Sequence, residues 1–286
     1  MAKAIYTGVD NVARKVTQSY VGVNGVSRKV KSGYAGVENV ARQCLSGGTP
    51  ISESGLAVGD SVFVNVDGVA TEFIIVQMGL PSPSSPYDWV GDEYIADGVW
   101  LLSKDIMYKD QFNTAYSYFQ NNSYTDSDLD TYVNGNGFLG LLDVNIQNII
   151  KYVTIPIHDG VGNSGSTQVV GVTRKIFILS YTEVGAAVSN AAIGGYEVFV
   201  PSNDGSALEY FKDGKASDRI AYYNSTATAW LTRTPPTDSD TSIWQVSASG
   251  NVYANGQASY LSSSGVRPAF IIPSDTLVDS NFNVIA

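Results

Sequence analysis

Few residues of this chain have the type and spacing that would support chemistry. His158 is the only histidine and stands beside Asp159. Such a pair supplies a general base only when a nucleophile or second ligand completes it. The sequence assigns neither, so His158 reads as a core or loop residue. Asp88, Asp92, Glu93, Asp97, Asp105 and Glu183 offer carboxylates for a glycosidase-type acid and base, which need no sequence motif. Asp126, Asp128 and Asp130 alternate as calcium ligands do, and so do Asp238 and Asp240, yet neither run carries the Gly and closing Glu of an EF-hand. The first run reads as a helix cap, and the second stays open as a calcium loop. Cys44 is the only cysteine, which excludes an intrachain disulfide and a thiolate zinc site. The glycines fall in turns with no following helix, so phosphate-cradling motifs are lacking. The expectation is a protein that is not an enzyme, with no catalytic residues, metal or cofactor.

Non-covalent recognition is better supplied. Residues 229–235, 243–250 and 265–273 read as short apolar strands with aromatic residues, joined by polar, Gly-bearing connections. The connections carry Tyr, Ser and Asn, the composition of surfaces that bind by rigid aromatic area and adaptable hydrogen bonds. Asp240, Trp244, Tyr253, Asn255 and Tyr260 are the expected ligand contacts. Trp100, Trp230, Arg233, Arg267, Pro268 and Phe270 are the expected framework, with carboxylate or carbonyl partners for the two arginines.

The elements beneath these loops are mostly strands. Val62, Val64 and Val66 alternate toward Asp67-Gly68, and Phe73 to Val76 returns, which predicts a hairpin. Trp100-Leu101-Leu102 and Ile176 to Ser180 predict buried strands, and Tyr196 to Val200 a further one. Ser127 with Asp130 has capping-box spacing and predicts a short helix that ends at Asn134-Gly135. A second helix is predicted from Asp143, with Ile146, Ile149, Ile150 and Val153 on one face and Pro156 as its stop.

Residues 6–44 repeat at a spacing of 14, each unit carrying Tyr, Gly, two Val and Arg at matching positions. Asn24-Gly25 is a favoured hairpin turn, and Asp10-Asn11 and Glu38-Asn39 occupy the same place, so each unit predicts a small β-hairpin. A unit this short buries no core and needs neighbours or a host surface. Tyr6, Arg14, Tyr20, Arg28, Tyr34 and Arg42 therefore mark an attachment or oligomerisation module, while Cys44 substitutes for a repeated valine. The chain's formal charge is -10, yet residues 1–50 balance to +5. The boundary falls at Ser46 to Pro50, giving a module at 1–50 and an acidic body at 51–286. The acidic balance argues against a nucleic-acid partner. With no apolar leader at Met1 to Tyr6 and no long apolar run, neither signal-directed export nor membrane insertion is expected.

Trp100-Leu101-Leu102, Tyr132-Val133-Asn134, Phe138-Leu139, Ile176 to Ser180, Glu183-Val184-Gly185, Trp230 to Pro235 and Gly265 to Ala269 together resemble an uncharacterised domain common in prophage and surface proteins of gut Firmicutes. The resemblance runs over residues 55–275, and the repeats are similar to those that precede this domain among phage tail or virion genes. The Trp, Arg and Gly-Val-Arg-Pro-Ala pattern is also similar to C-type-lectin-like domains of bacteria and phages, although Ala229 stands where relatives have a first Trp and Thr232 precedes Arg233. The resemblance implies an α+β, β-dominated C-type-lectin-like domain with about two helices, preceded by the hairpin module. It also implies a virion protein, tail-fibre-like or head-fibre-like, whose C-terminal loops bind a bacterial surface glycan or protein. Residues 1–45 would contact other virion proteins, with a trimer as the favoured homo-oligomer. A decoration protein without a receptor, or a carbohydrate-active enzyme, would be the alternatives.

Overall fold

The computed structural model describes residues 48–81, 96–114, 123–158, 169–186, 204–235, 243–255 and 264–286, and the backbone of eight strands elsewhere, six within 6–45 and two at 191–198. The fold is a strand-rich α+β arrangement with one substantial helix. Each N-terminal repeat is a two-stranded antiparallel hairpin: Tyr6–Val9 with Val12–Lys15, Tyr20–Val23 with Val26–Lys29, and Gly33–Val37 with Val40–Leu45. Tyr6, Arg14, Tyr20, Arg28, Tyr34, Arg42 and Cys44 lie on these strands, and the expected turn pairs lie outside the described residues.

In the body, the strands follow the runs of Val, Ile, Leu and aromatic residues. A first sheet, antiparallel throughout, has the order Ile176–Phe177, Ala269–Ile272, Val99–Ser103, Val69–Met78, Ser61–Val66. Its predicted hairpin turn is Asp67-Gly68, both residues in the left-handed region at φ 50° and 78°, the combination a type I′ turn requires. A second sheet has the order Tyr108–Asp110, Ser264–Val266, Trp230–Leu231, Ile243–Val246, Val252–Asn255, with Trp230 and Gly265 paired in parallel. Two chain segments cross from one sheet to the other, 99–110 and 264–272, and they are neighbours in both sheets. One contiguous cluster of buried apolar side chains runs from Ile51 to Val278, with Trp100, Trp230, Phe73 and Phe270 fully enclosed. A three-stranded sheet of Val284–Ile285, Leu277–Val278 and Thr49–Pro50 brings the two ends of this region together.

The helix predicted after Ser127 spans Asp128–Asn134, and the Ser127 hydroxyl accepts the Asp130 N–H at 3.0 Å, which satisfies one of its free donors. The helix predicted from Asp143 is shorter than expected, Val144–Ile149. Val153, expected on its apolar face, instead begins a strand, Val153–His158, paired with Val169–Arg174. Val153, Ile155 and Ile157 bury on one side at period two, and Pro156 is tolerated because among the described residues this ladder has only two strands. The expected 176–180 strand stops at Phe177, after which the buried chain turns through 181–185. The predicted 196–200 strand is Tyr196–Val198, paired with Ala191–Ile193. No helix among the described residues is long and apolar enough to cross a membrane.

Candidate functional site

Beneath the surface lies a fixed polar framework. Arg233 follows the Trp230–Leu231 strand and is fully buried, as is Glu183 in the 181–185 turn. Its two terminal nitrogens donate to the Glu183 carboxylate at 2.5 and 2.6 Å, and further donors reach the carbonyls of Pro156, Ile178 and Asp204. A planar fork on a planar carboxylate is the geometry that makes burial of this pair tolerable. Asp204 accepts from Thr182 Oγ1 at 2.8 Å and from the Thr234 hydroxyl. Burial raises its pKa above the ordinary carboxylate value, against the pull of Arg233. Arg267 sits at the corner where both chain segments change sheets. Its guanidinium donates to the carbonyls of Ser103 and Lys104 at 2.9 and 3.0 Å and lies 4.8 Å from the Trp230 ring. Complete burial lowers its pKa to about 10. Arg219, which the sequence reading passed over, ties the Gly250, Val184 and Gly214 carbonyls together. Gly250 has φ 81°, and a Cβ there would meet the Ala216 carbonyl oxygen at 1.8 Å, so only glycine fits. Pro268 is buried beside Arg267.

Trp244, expected among the displayed contacts, requires correction. It is 0% exposed and packs edge-on against Tyr181 at 4.7 Å. All four residues of Ile243–Val246 are buried, so both faces of this strand are covered and alternation sends no side chain to solvent. Tyr253 is half-buried, its hydroxyl 3.4 Å from Gln245 Oε1, which also accepts from Ser264 at 3.3 Å. Asn255 pairs through its backbone with Ile243, while Asp240 and Tyr260 lie outside the described residues.

A concave surface that presents side chains lies elsewhere. Tyr222–Tyr223 pairs with Thr226–Ala227, and Asn224-Ser225 closes this hairpin with both residues left-handed, at φ 50° and 63°. Asn is favoured in that conformation, and Ser tolerates it at a cost. The hairpin docks on the chain at 105–107: Tyr222 N–H donates to the Asp105 carboxylate at 3.2 Å, and Ile106 N–H to the Tyr222 carbonyl at 2.9 Å. Between them opens a cavity of about 530 Å³ lined by Asp105, Ile106, Met107, Tyr222, Tyr223, Asn224 and Ser225. Tyr222 is 46% exposed, and the Lys109 ammonium stands 5.2 Å from the Tyr223 ring. Two phenol rings with a carboxylate, an amide and a hydroxyl suit a hydroxyl-rich ligand, with apolar C–H faces against the rings and hydroxyls on the polar groups. Two tyrosines before Asn224-Ser225 were the available sequence signal, which apolar periodicity does not register.

The other candidate acids take separate positions. Glu183 is committed to Arg233, Asp97 and Asp105 are exposed, and Asp88, Asp92 and Glu93 lie outside the described residues. Asp128 accepts the Thr114 N–H and hydroxyl at 2.7 and 2.6 Å, and Asp130 pairs with Arg174, so these two members of the 126–130 run brace the helix that Ser127 caps. His158 pairs through its backbone with Val169, whereas Asp159 and Asp238 lie outside the described residues. Among the described residues no group of three or more His, Cys, Asp and Glu converges as metal ligands would.

Residues 97–274 match the model of a family described as a domain of unknown function, DUF6273. No curated protein and no solved structure matches the chain.

Proposed function

We propose that this chain, which belongs to the DUF6273 family, is a non-enzymatic bacteriophage virion protein, tail-fibre-like or head-fibre-like, that binds a bacterial surface glycan or protein. The observation that carries the reading is the Tyr222–Ala227 hairpin, which holds exposed aromatic and polar side chains over an open cavity above a framework of buried arginines. Rigid aromatic groups beside adaptable polar ones give contact area at low entropic cost. Asp240, Tyr253, Asn255 and Tyr260 belong to a second stretch of the binding surface in this reading, and Trp244 supports it from below.

A C-type-lectin-like body agrees with the paired ends at Thr49–Pro50 and Leu277–Val278 and with the two sheets joined at Arg267. The three hairpins, basic where the body is acidic, suit attachment to an acidic neighbour in the particle, with a trimer as the favoured assembly. The test is binding of the full chain to immobilised bacterial wall glycans and surface proteins. Tyr222→Ala/Tyr223→Ala is run beside Tyr253→Ala/Asn255→Ala/Tyr260→Ala. Saturable binding lost in either variant supports the reading. No binding to any member, or turnover of a bound glycan, would contradict it.

A further inference from the structure

A second concavity, away from the hairpin, carries a different chemistry. It has a volume of about 350 Å³ and lies between the Asp128–Asn134 helix, the end of the Val169–Arg174 strand and Tyr152. The helix builds its rigid wall. Asn134 bonds the Ile176 N–H and carbonyl at 3.0 and 2.9 Å and reaches the Asp130 carboxylate at 3.0 Å. Asp130, itself buried, then grips Arg174: Nε lies 2.7 and 3.0 Å from its two oxygens, and a terminal nitrogen 2.7 Å from one of them. The other terminal nitrogen donates to the Thr173 carbonyl at 2.9 Å. A guanidinium has five N–H donors, more than these contacts use.

Lys175 adds a second cation at the same wall. It donates to the Gln147 carbonyl at 2.6 Å, which uses one of its three N–H groups, and stands 4.9 Å from the Tyr152 ring. Tyr152 is 72% exposed, a large apolar ring facing water beside an ammonium. Asp130 neutralises one of the two cations, so the lining groups carry an excess positive charge on a chain whose formal balance is -10. An oriented guanidinium and an ammonium recognise an anionic group, and an exposed phenol ring packs on the C–H face of a saccharide or polyol.

The geometry points to this cleft as a binding site for an anionic saccharide or polyol unit, its carboxylate or phosphate held by Arg174 and Lys175 and its carbon frame by Tyr152. The site stands independently of the hairpin reading. The full chain is titrated with a galacturonic acid trimer, a glycerol phosphate trimer and a neutral galactose trimer, at low and high salt. Lys175→Gln and Tyr152→Ala remove groups outside the Asp130–Arg174 pair, and Tyr222→Ala/Tyr223→Ala serves as the control for the other cavity. At least one anionic trimer binds more tightly than the neutral one, more weakly at high salt, and about tenfold more weakly in each of the first two variants at unchanged melting temperature. The hairpin variant binds as the parent does. No preference for an anionic trimer, or unchanged affinity in either Lys175→Gln or Tyr152→Ala, overturns the inference. The carboxylate and phosphate arms tell which anion the cleft takes.

Discussion

Arg233 and Glu183 form a buried ion pair whose two sides are unequal to lose. Replacing both by apolar groups of matched volume removes the desolvation cost with the attraction, whereas removing one leaves a stranded charge. Glu183→Gln is therefore expected to cost about 3–5 kcal/mol in chemical denaturation, and a loss below about 1 kcal/mol would show that the guanidinium finds other compensation. Asp204 works in a different sense. Burial raises its folded-state pKa above the ordinary value of 3.8, so the folded chain holds that proton more tightly than the unfolded chain. The associated stability is present below the ordinary aspartate range and is lost as pH rises through the folded value. Stability of the parent relative to Asp204→Asn should thus fall as pH rises from about 4. A flat or rising difference across pH would contradict that assignment.

Among the elements, two hairpins solve the same turn differently. Asp67-Gly68 places glycine at the second left-handed position, while the Tyr222–Ala227 hairpin uses Asn224-Ser225. Ser225→Gly should relieve that backbone cost and stabilise the protein by about 1 kcal/mol, read as a raised denaturation midpoint with unchanged slope. A lower midpoint would mean that the Ser225 side chain makes a contact worth more than the strain. The first hairpin was legible because alternating valines and Asp-Gly agree, and Ser127 was legible as a cap because its chemistry is local. Val153 was misread because Ile146 to Val153 fits a helical face while the same valine also begins a period-two run. Only the partner strand 169–174 decides between them. Trp244 failed for a tertiary reason: the composition of the connections does not tell whether the strand beside them is covered on both faces, as Ile243–Val246 is. Arg219 was illegible because its partners are backbone carbonyls, those of Gly250 and Val184 far along the chain, which no side-chain motif encodes.

At the scale of the molecule, the basic hairpins and the acidic body divide attachment from recognition in the proposed account. Deleting residues 1–45 should leave the thermal unfolding of the remaining chain cooperative while abolishing the native oligomer in sedimentation. An unchanged oligomer would place assembly in the body. Recognition itself is tested most directly by the equilibrium binding of the labelled full chain to intact bacterial cells, parent beside Tyr222→Ala/Tyr223→Ala. Tyr222 is partly exposed, and the two residues lie in a two-stranded hairpin at the surface, so the variant is expected to keep its fold. The account predicts saturable binding by the parent and a loss of about tenfold or more in the variant, the size expected when aromatic anchors are truncated at an interface. Parent and variant binding with equal affinity, or neither binding cells of any species whose surface the parent meets, would contradict it.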